Sequence, residues 1–136
     1  MPRLIYNQIE IYCRDQLPCE ACGALLGIQE LATIVIEQFI PLSNMALNRE
    51  AEFEIDEREW TQLLFDGLAR DQYVMGLIHS HPTTPAIPSY ADLQTLWYTL
   101  PTHWIISYID MNSPVLKAFG FHADGTYKQV NWVIQD

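Results

Sequence analysis

The sequence predicts an α+β or mixed α/β domain, with one sheet flanked by about three helices. Two observations carry this. Apolar periodicity changes in kind along the chain, in the order helix, strands, helix, strand, helix, strands. The 136 residues, 49% hydrophobic and 18% charged, contain no repeat, linker or low-complexity segment, which suits one domain spanning 1–136 with its own core.

Leu4, Ile5, Ile9, Tyr12 and Cys13 recur at helical spacing, so residues 3–16 read as an amphipathic helix stopped by Pro18. Ala21 to Ile28 reads as a strand, with Leu31 to Leu42 as its β-branched antiparallel partner and Gln29-Glu30 as the turn. After a loop over 41–50 that carries Asn44 and Asn48, Ala51 to Ile55 alternates polar and apolar, as a half-buried strand does. A helix begins at Asp56, with Glu59 at the capping-partner position, a buried stripe of Trp60, Leu63, Leu64 and Leu68, and Arg70 near its C-terminal dipole. The remaining charges read as a solvated face.

Tyr73 to Ile78 is an apolar run suited to a buried strand, and a third helix over Ser89 to Leu100 buries Leu93, Leu96, Trp97 and Leu100 before Pro101. Trp104 to Ile109 reads as a central strand. Val115 to Phe121 and Tyr127 to Ile134 form a final pair around the hairpin signal Asp124-Gly125.

Composition narrows the function classes. The formal charge is −10, with seven lysines and arginines, so the surface repels phosphate backbones and argues against nucleic acid as a partner. No stretch approaches the ~20 apolar residues of a membrane helix, and the N-terminal segment lacks the apolar core of a signal peptide. Cys13, Cys19 and Cys22 are an odd, clustered set, a poor disulfide framework that suits a reducing compartment. The expectation is a soluble cytoplasmic protein. Cys19-x-x-Cys22 lacks the second close pair of a structural zinc site, and packing of small apolar side chains accounts for it better.

The stretch with chemistry in it is His79 to Asp92. Residues two apart on a strand point the same way, so His79 and His81 offer two imidazoles on one side and Ser80 faces the other. Pro82, Pro85 and Pro88 hold the following chain in extended or turn geometry, and Asp92 returns in the first turn of the next helix. Two imidazoles and a carboxylate are the three protein ligands of a typical catalytic zinc site, which leaves a fourth position for water. Ser89-x-x-Asp92 is also a helix-capping pattern, a purely structural alternative.

His79-Ser80-His81, seven residues, Ser89, two residues, Asp92 resembles the His-x-His-x7-Ser-x2-Asp pattern of the JAMM metalloproteases, the JAB or MPN family. Upstream, Pro18-Cys19-Glu20-Ala21-Cys22-Gly23-Ala24-Leu25-Leu26-Gly27 is similar to that family's Pro-x-Glu-x-Cys-Gly-x-Leu-x-Gly segment. The resemblance implies a curved mixed sheet wrapped by helices, like that of cytidine deaminases. It implies one zinc ion held by His79, His81 and Asp92, Glu20 as general acid and base, and Ser89 as a donor to the oxyanion. It also implies hydrolysis of an amide or isopeptide bond at the C-terminus of a ubiquitin-like protein. The compact chain looks like the small prokaryotic members, some of which trim a sulfur-carrier protein.

The rival readings are a non-catalytic MPN interaction module, a phage-tail or cell-wall peptidase of the same fold, a DNA-repair relative with Asn at the place of Ser80, and a metal-dependent deaminase. The chain keeps every position of the motif, which speaks against a non-catalytic module. Its acidity disfavours DNA, and it lacks the His-x-Glu of the deaminases. His103 and His122 match no ligand position and read as ordinary.

Overall fold

The computed structural model describes residues 1–136. The elements in chain order are α1 (Arg3–Gln16), β1 (Cys22–Glu30), β2 (Thr33–Leu42), α2 (Glu57–Leu68), β3 (Tyr73–His81), α3 (Tyr90–Leu93), β4 (Thr102–Ser107), β5 (Val115–Phe121) and β6 (Tyr127–Val130). The six strands form one sheet in the order β2-β1-β3-β4-β5-β6. Only β3 and β4 run parallel, as the crossover through α3 requires, and the other pairs are antiparallel. The α+β reading with a mixed sheet therefore holds. No helix is long and apolar enough to cross a membrane.

The two faces of the sheet carry different cores. α1 lays Ile5, Ile9 and Cys13 against Leu25, Phe39, Ile78, Trp104, Ile106 and Tyr108. On the opposite face α2 packs Leu63 against Cys22, Ala24, Leu26 and Leu42. Bulges set which residues face which side. Met75 is skipped in the β1–β3 register, where Gly76 faces Leu25 and Val74 faces Leu26. Met75 and Ile78 consequently both reach the α1 core, while Val74 packs on the α2 side. From Gly76 onward the alternation is regular, and His79 and His81 fall on the α2 side.

Several boundaries differ from the sequence reading. The β1–β2 turn lies at Leu31, with φ 56°, and not at Gln29-Glu30, because both strands continue their ladder to Glu30 and Thr33. Ala51 to Ile55 is not a strand. A single bridge joins Ile55 to Asn44, and the Asn44 side chain takes the Glu54 N–H and the Glu52 carbonyl, which a ladder would otherwise use. The third helix stops at Leu93 and does not run to Leu100. The Thr95 hydroxyl accepts the Trp97 N–H at 3.1 Å, a local bond that competes with helix continuation. Leu96 is consequently exposed, and Trp97 packs on Trp60.

In α2 the buried positions are Leu63 and Gly67, with Trp60 half-buried, while Leu64 and Leu68 point outward. The helix presents its 60/63/67 line to the sheet, and Gly67 permits close approach: a Cβ there would lie 2.9 Å from the Gln72 carbonyl. Asp56 caps α2 through the Arg58 N–H. Glu59 does not complete a capping box or lie free in solvent; it accepts from the Ser43 N–H and hydroxyl. Arg70 lies beyond the last turn. β4 begins two residues earlier than the apolar run suggested, and β6 ends at Val130.

Candidate metal centre

β3 runs straight through both histidines. His79 pairs with Cys22 of β1 and Ile105 of β4, and His81 pairs with Ser107 of β4, so the strand is laddered on both sides at His79 and on the β4 side at His81. Both are 5% exposed. The loop after β3 is held to β4 where the Ser107 hydroxyl donates to the Thr84 carbonyl at 2.5 Å and the Tyr108 N–H donates to the His81 carbonyl at 3.0 Å. Pro88 leads into Ser89, which caps α3 by accepting the Asp92 N–H at 3.0 Å, while the Asp92 carboxylate accepts the Ser89 N–H at 2.9 Å. The capping box expected as the structural alternative is real, and it points the Asp92 carboxylate at the histidines. Capping and convergence are one arrangement.

Asp92 Oδ1 lies 3.2 Å from His79 Nε2, and its Oδ2 lies 3.0 Å from His81 Nε2. The two Nε2 atoms are 3.1 Å apart. His81 Nδ1 faces the Pro85 carbonyl at 2.8 Å. A carbonyl only accepts, so Nδ1 carries the hydrogen and Nε2 of the neutral ring turns a lone pair inward. The His81 lone pair and the carboxylate then meet around one point with His79 Nε2 beside them, which needs a proton or a cation among them. Ligands at about 2.05 Å around a tetrahedral ion lie roughly 3.3 Å from one another. The observed spacings match that edge length, so the donor set fits a divalent ion of the zinc type.

Glu20 comes from the other side, just before β1. It is 7% exposed, and one of its carboxylate oxygens lies within 4.8 Å of ligand nitrogens of both histidines. Burial pushes its pKa up to about 7, against the pull of His81, with Asp92 and Glu52 adding to the rise. Burial works the other way on Asp92, but where a proton is held between the carboxylate and the Nε2 atoms of His79 and His81, their hydrogen bonds outweigh burial and hold that carboxyl well below the usual range. The two carboxyls are thus driven apart in acidity. His81 is raised despite its burial by Asp92 and the Pro85 carbonyl. The structure therefore gathers Glu20, His79, His81 and Asp92, with the exposed Ser89 at the edge of the same cluster.

Other residues here carried no recognisable signal in the sequence. The Phe53 ring stacks on His79 at 4.6 Å. Asn44 ties the loop bearing Phe53 to the Glu20 carbonyl. His103, read as ordinary, lines a cavity of about 350 Å³ that opens beside His79 and Asp92. Burial lowers its pKa to about 4, so the ring is neutral near pH 7, and its Nε2 has no partner. The cavity has aromatic walls from Phe53, Trp97 and Phe121 and an acidic lip from Glu52, Glu54 and Glu57. Cys13 and Cys22 are buried, and burial raises both thiols to about 12, so the cysteines serve packing there.

The family described as prokaryotic homologs of the JAB domain matches residues 5–119. The chain belongs to that family. As a JAB-domain protein it is similar to two desampylases. That of Haloferax volcanii is 31% identical over 75 residues, 55% of this chain and 52% of the relative. That of Pyrococcus furiosus is 35% identical over 89 residues, 64% of this chain and 58% of the relative. The matched region thus spans little more than half the length of these relatives.

Among solved structures, the JAB-domain chain superposes on protein DSY2949 of Desulfitobacterium hafniense with a TM-score of 0.89 at 28% identity, covering 99% of this chain and 91% of that one. A protein from Salinibacter ruber gives 0.68 at 27% identity, covering 100% and 90%. AF2198, a JAB1/MPN domain protein from Archaeoglobus fulgidus, gives 0.62 at 20% identity with full coverage of both chains, a likeness of fold alone.

Proposed function

We propose that this JAB-domain protein is a zinc-dependent hydrolase of amide or isopeptide bonds at the C-terminus of ubiquitin-like or sulfur-carrier proteins. The observation that carries the reading is the convergence of two imidazoles and one low-pKa carboxylate with a second, high-pKa carboxyl beside them. The similarity to two desampylases supports the substrate class.

In this reading His79, His81 and Asp92 hold the ion. When bound there, zinc would supply Lewis acidity and make water acidic enough, with a pKa of roughly 7, to give up a proton at neutral pH. Glu20 takes the proton of the attacking water and returns it to the departing amine, a transfer that contributes about 10²–10⁴-fold. In the metal-free chain burial holds this carboxyl near 7, well above an ordinary glutamate, which favours its taking up and returning a proton. Ser89 has its oxygen lone pair engaged by the Asp92 N–H, which leaves its O–H free to donate to the oxyanion. The acidic lip of the neighbouring cavity favours substrates with basic residues around the scissile bond. The free cysteines agree with a reducing, cytoplasmic setting.

The test is incubation of zinc-loaded protein with ubiquitin-like and sulfur-carrier proteins bearing C-terminal extensions or lysine-linked conjugates, read by intact mass. The expected result is release of the mature C-terminus, abolished by chelator and restored by zinc. An unchanged mass for every substrate at stoichiometric enzyme contradicts the proposal.

A further inference from the structure

Glu20 stands outside the sheet ladder, since β1 begins at Cys22. Both of its backbone polar groups are held by the loop that follows β2. Its N–H donates to the Arg49 carbonyl at 2.7 Å, and its carbonyl accepts from Asn44 Nδ2 at 3.0 Å. The same Nδ2 donates to the Glu52 carbonyl at 2.9 Å and lies 3.5 Å from that of Arg49. Asn44 Oδ1 accepts the N–H groups of Ala46 at 3.0 Å and Glu54 at 3.1 Å. Three carbonyls face the amino group and two N–H groups face the oxygen, so the amide is fully used and its orientation is fixed. One end of this clamp carries Glu20. The other carries Phe53, whose ring covers His79.

We propose that Asn44 is the positioning residue of the site, setting Glu20 against the His79–His81 pair through its carbonyl and, through the loop 44–54, seating Phe53 on His79. The inference rests on the reading of Glu20 as the proton carrier. Proton transfer needs approach within about 2.6–3.2 Å, and a misplacement of about 1 Å costs on the order of 10²-fold. A glutamate held by no ladder bond needs another restraint, and this amide provides it.

Asn44→Asp keeps an oxygen for the Ala46 and Glu54 amides but turns an acceptor toward the three carbonyls. In the zinc-loaded full chain it should lower kcat on a cleavable conjugate by about 10²-fold, with KM and zinc content nearly unchanged. In a Glu20→Gln background the same change should cost nothing further, because both act through one group. In metal-free protein, amide hydrogen exchange at Glu20 should accelerate about tenfold or more. Asn44→Ser keeps one donor and adds no charge; it replaces the Asp variant if that one does not fold, with a loss of about tenfold in kcat.

Wild-type kcat in these variants, or a full additive loss in the Glu20→Gln background, overturns the positioning role. Unaltered exchange at Glu20 overturns it without touching the hydrolase reading. An active Glu20→Gln enzyme overturns both together.

Discussion

At Ser80 a single hydroxyl joins the two motifs. Its Oγ accepts the Ala21 N–H at 2.8 Å, and its own N–H donates to the Ala21 carbonyl at 2.9 Å, one residue from Glu20. Ser80 is fully buried. Ser80→Ala leaves the Ala21 N–H without its partner, which costs about 1–3 kcal/mol; a denaturation midpoint equal to that of the wild type would contradict this. Glu20 has the opposite effect on stability. Its pKa is about 7 folded against an ordinary 4.5. Below pH 4.5 the carboxyl is protonated in both states. Between about 4.5 and 7 the folded state keeps a proton the unfolded chain releases, so stability falls as pH rises through this window. Glu20→Gln should therefore stabilise the metal-free protein at pH 8, by roughly 2–3 kcal/mol, and leave it unchanged at pH 4. Equal melting of the two proteins at pH 8 would show that the carboxyl is not strained by burial.

Elements transmit these residue effects. α3 is a single turn whose capping box orients Asp92, so Ser89→Ala should remove the acceptor of the Asp92 N–H and loosen the turn that carries the carboxylate, while the Ser89 N–H still donates to that carboxylate. Zinc affinity should fall about 10–100-fold, as for other partners of ligand side chains, measured by competition with a chromophoric chelator. Affinity equal to the wild type would mean that the loop alone fixes Asp92. At the β1–β2 bulge, a Cβ on Gly27 would lie 1.9 Å from the Val35 carbonyl. Backbone cannot yield as a side chain does, so Gly27→Ala should cost at least about 2–3 kcal/mol, visible in thermal melting of a protein that still folds.

The element scale also shows what a sequence can and cannot disclose. The convergence of His79, His81 and Asp92, with Ser89 capping the turn, was legible because a strand period, a rigid loop and a first helical turn place them by local geometry. Asn44, Phe53 and His103 were not, because their importance arises from partners 10 to 26 residues away in the chain. The alternation over Ala51 to Ile55 was misread for the same reason. Phe53 and Ile55 do face inward, but a distant amide, not a neighbouring strand, satisfies the backbone.

The whole molecule combines a rigid six-stranded sheet with a site built from both its loops and its centre. Glu20 and the loop 44–54 approach from the β1–β2 side, the histidines from β3, and Asp92 from the β3–β4 crossover. In the proposed metalloenzyme these parts meet only in the folded chain, so the ion binds the native state. Zinc at 100 times its dissociation constant should then add about 2.7 kcal/mol. Melting should rise on zinc addition and return with chelator, and His81→Ala should lose the response.

In the proposed mechanism His79, His81 and Asp92 hold the ion while Glu20 moves the proton. Paired zinc content and cleavage in one preparation of Glu20→Gln tests it most directly. The account predicts about one zinc per chain, as in the wild type, with cleavage reduced at least about 10²-fold. A zinc-loaded Glu20→Gln protein that cleaves at the wild-type rate would contradict it.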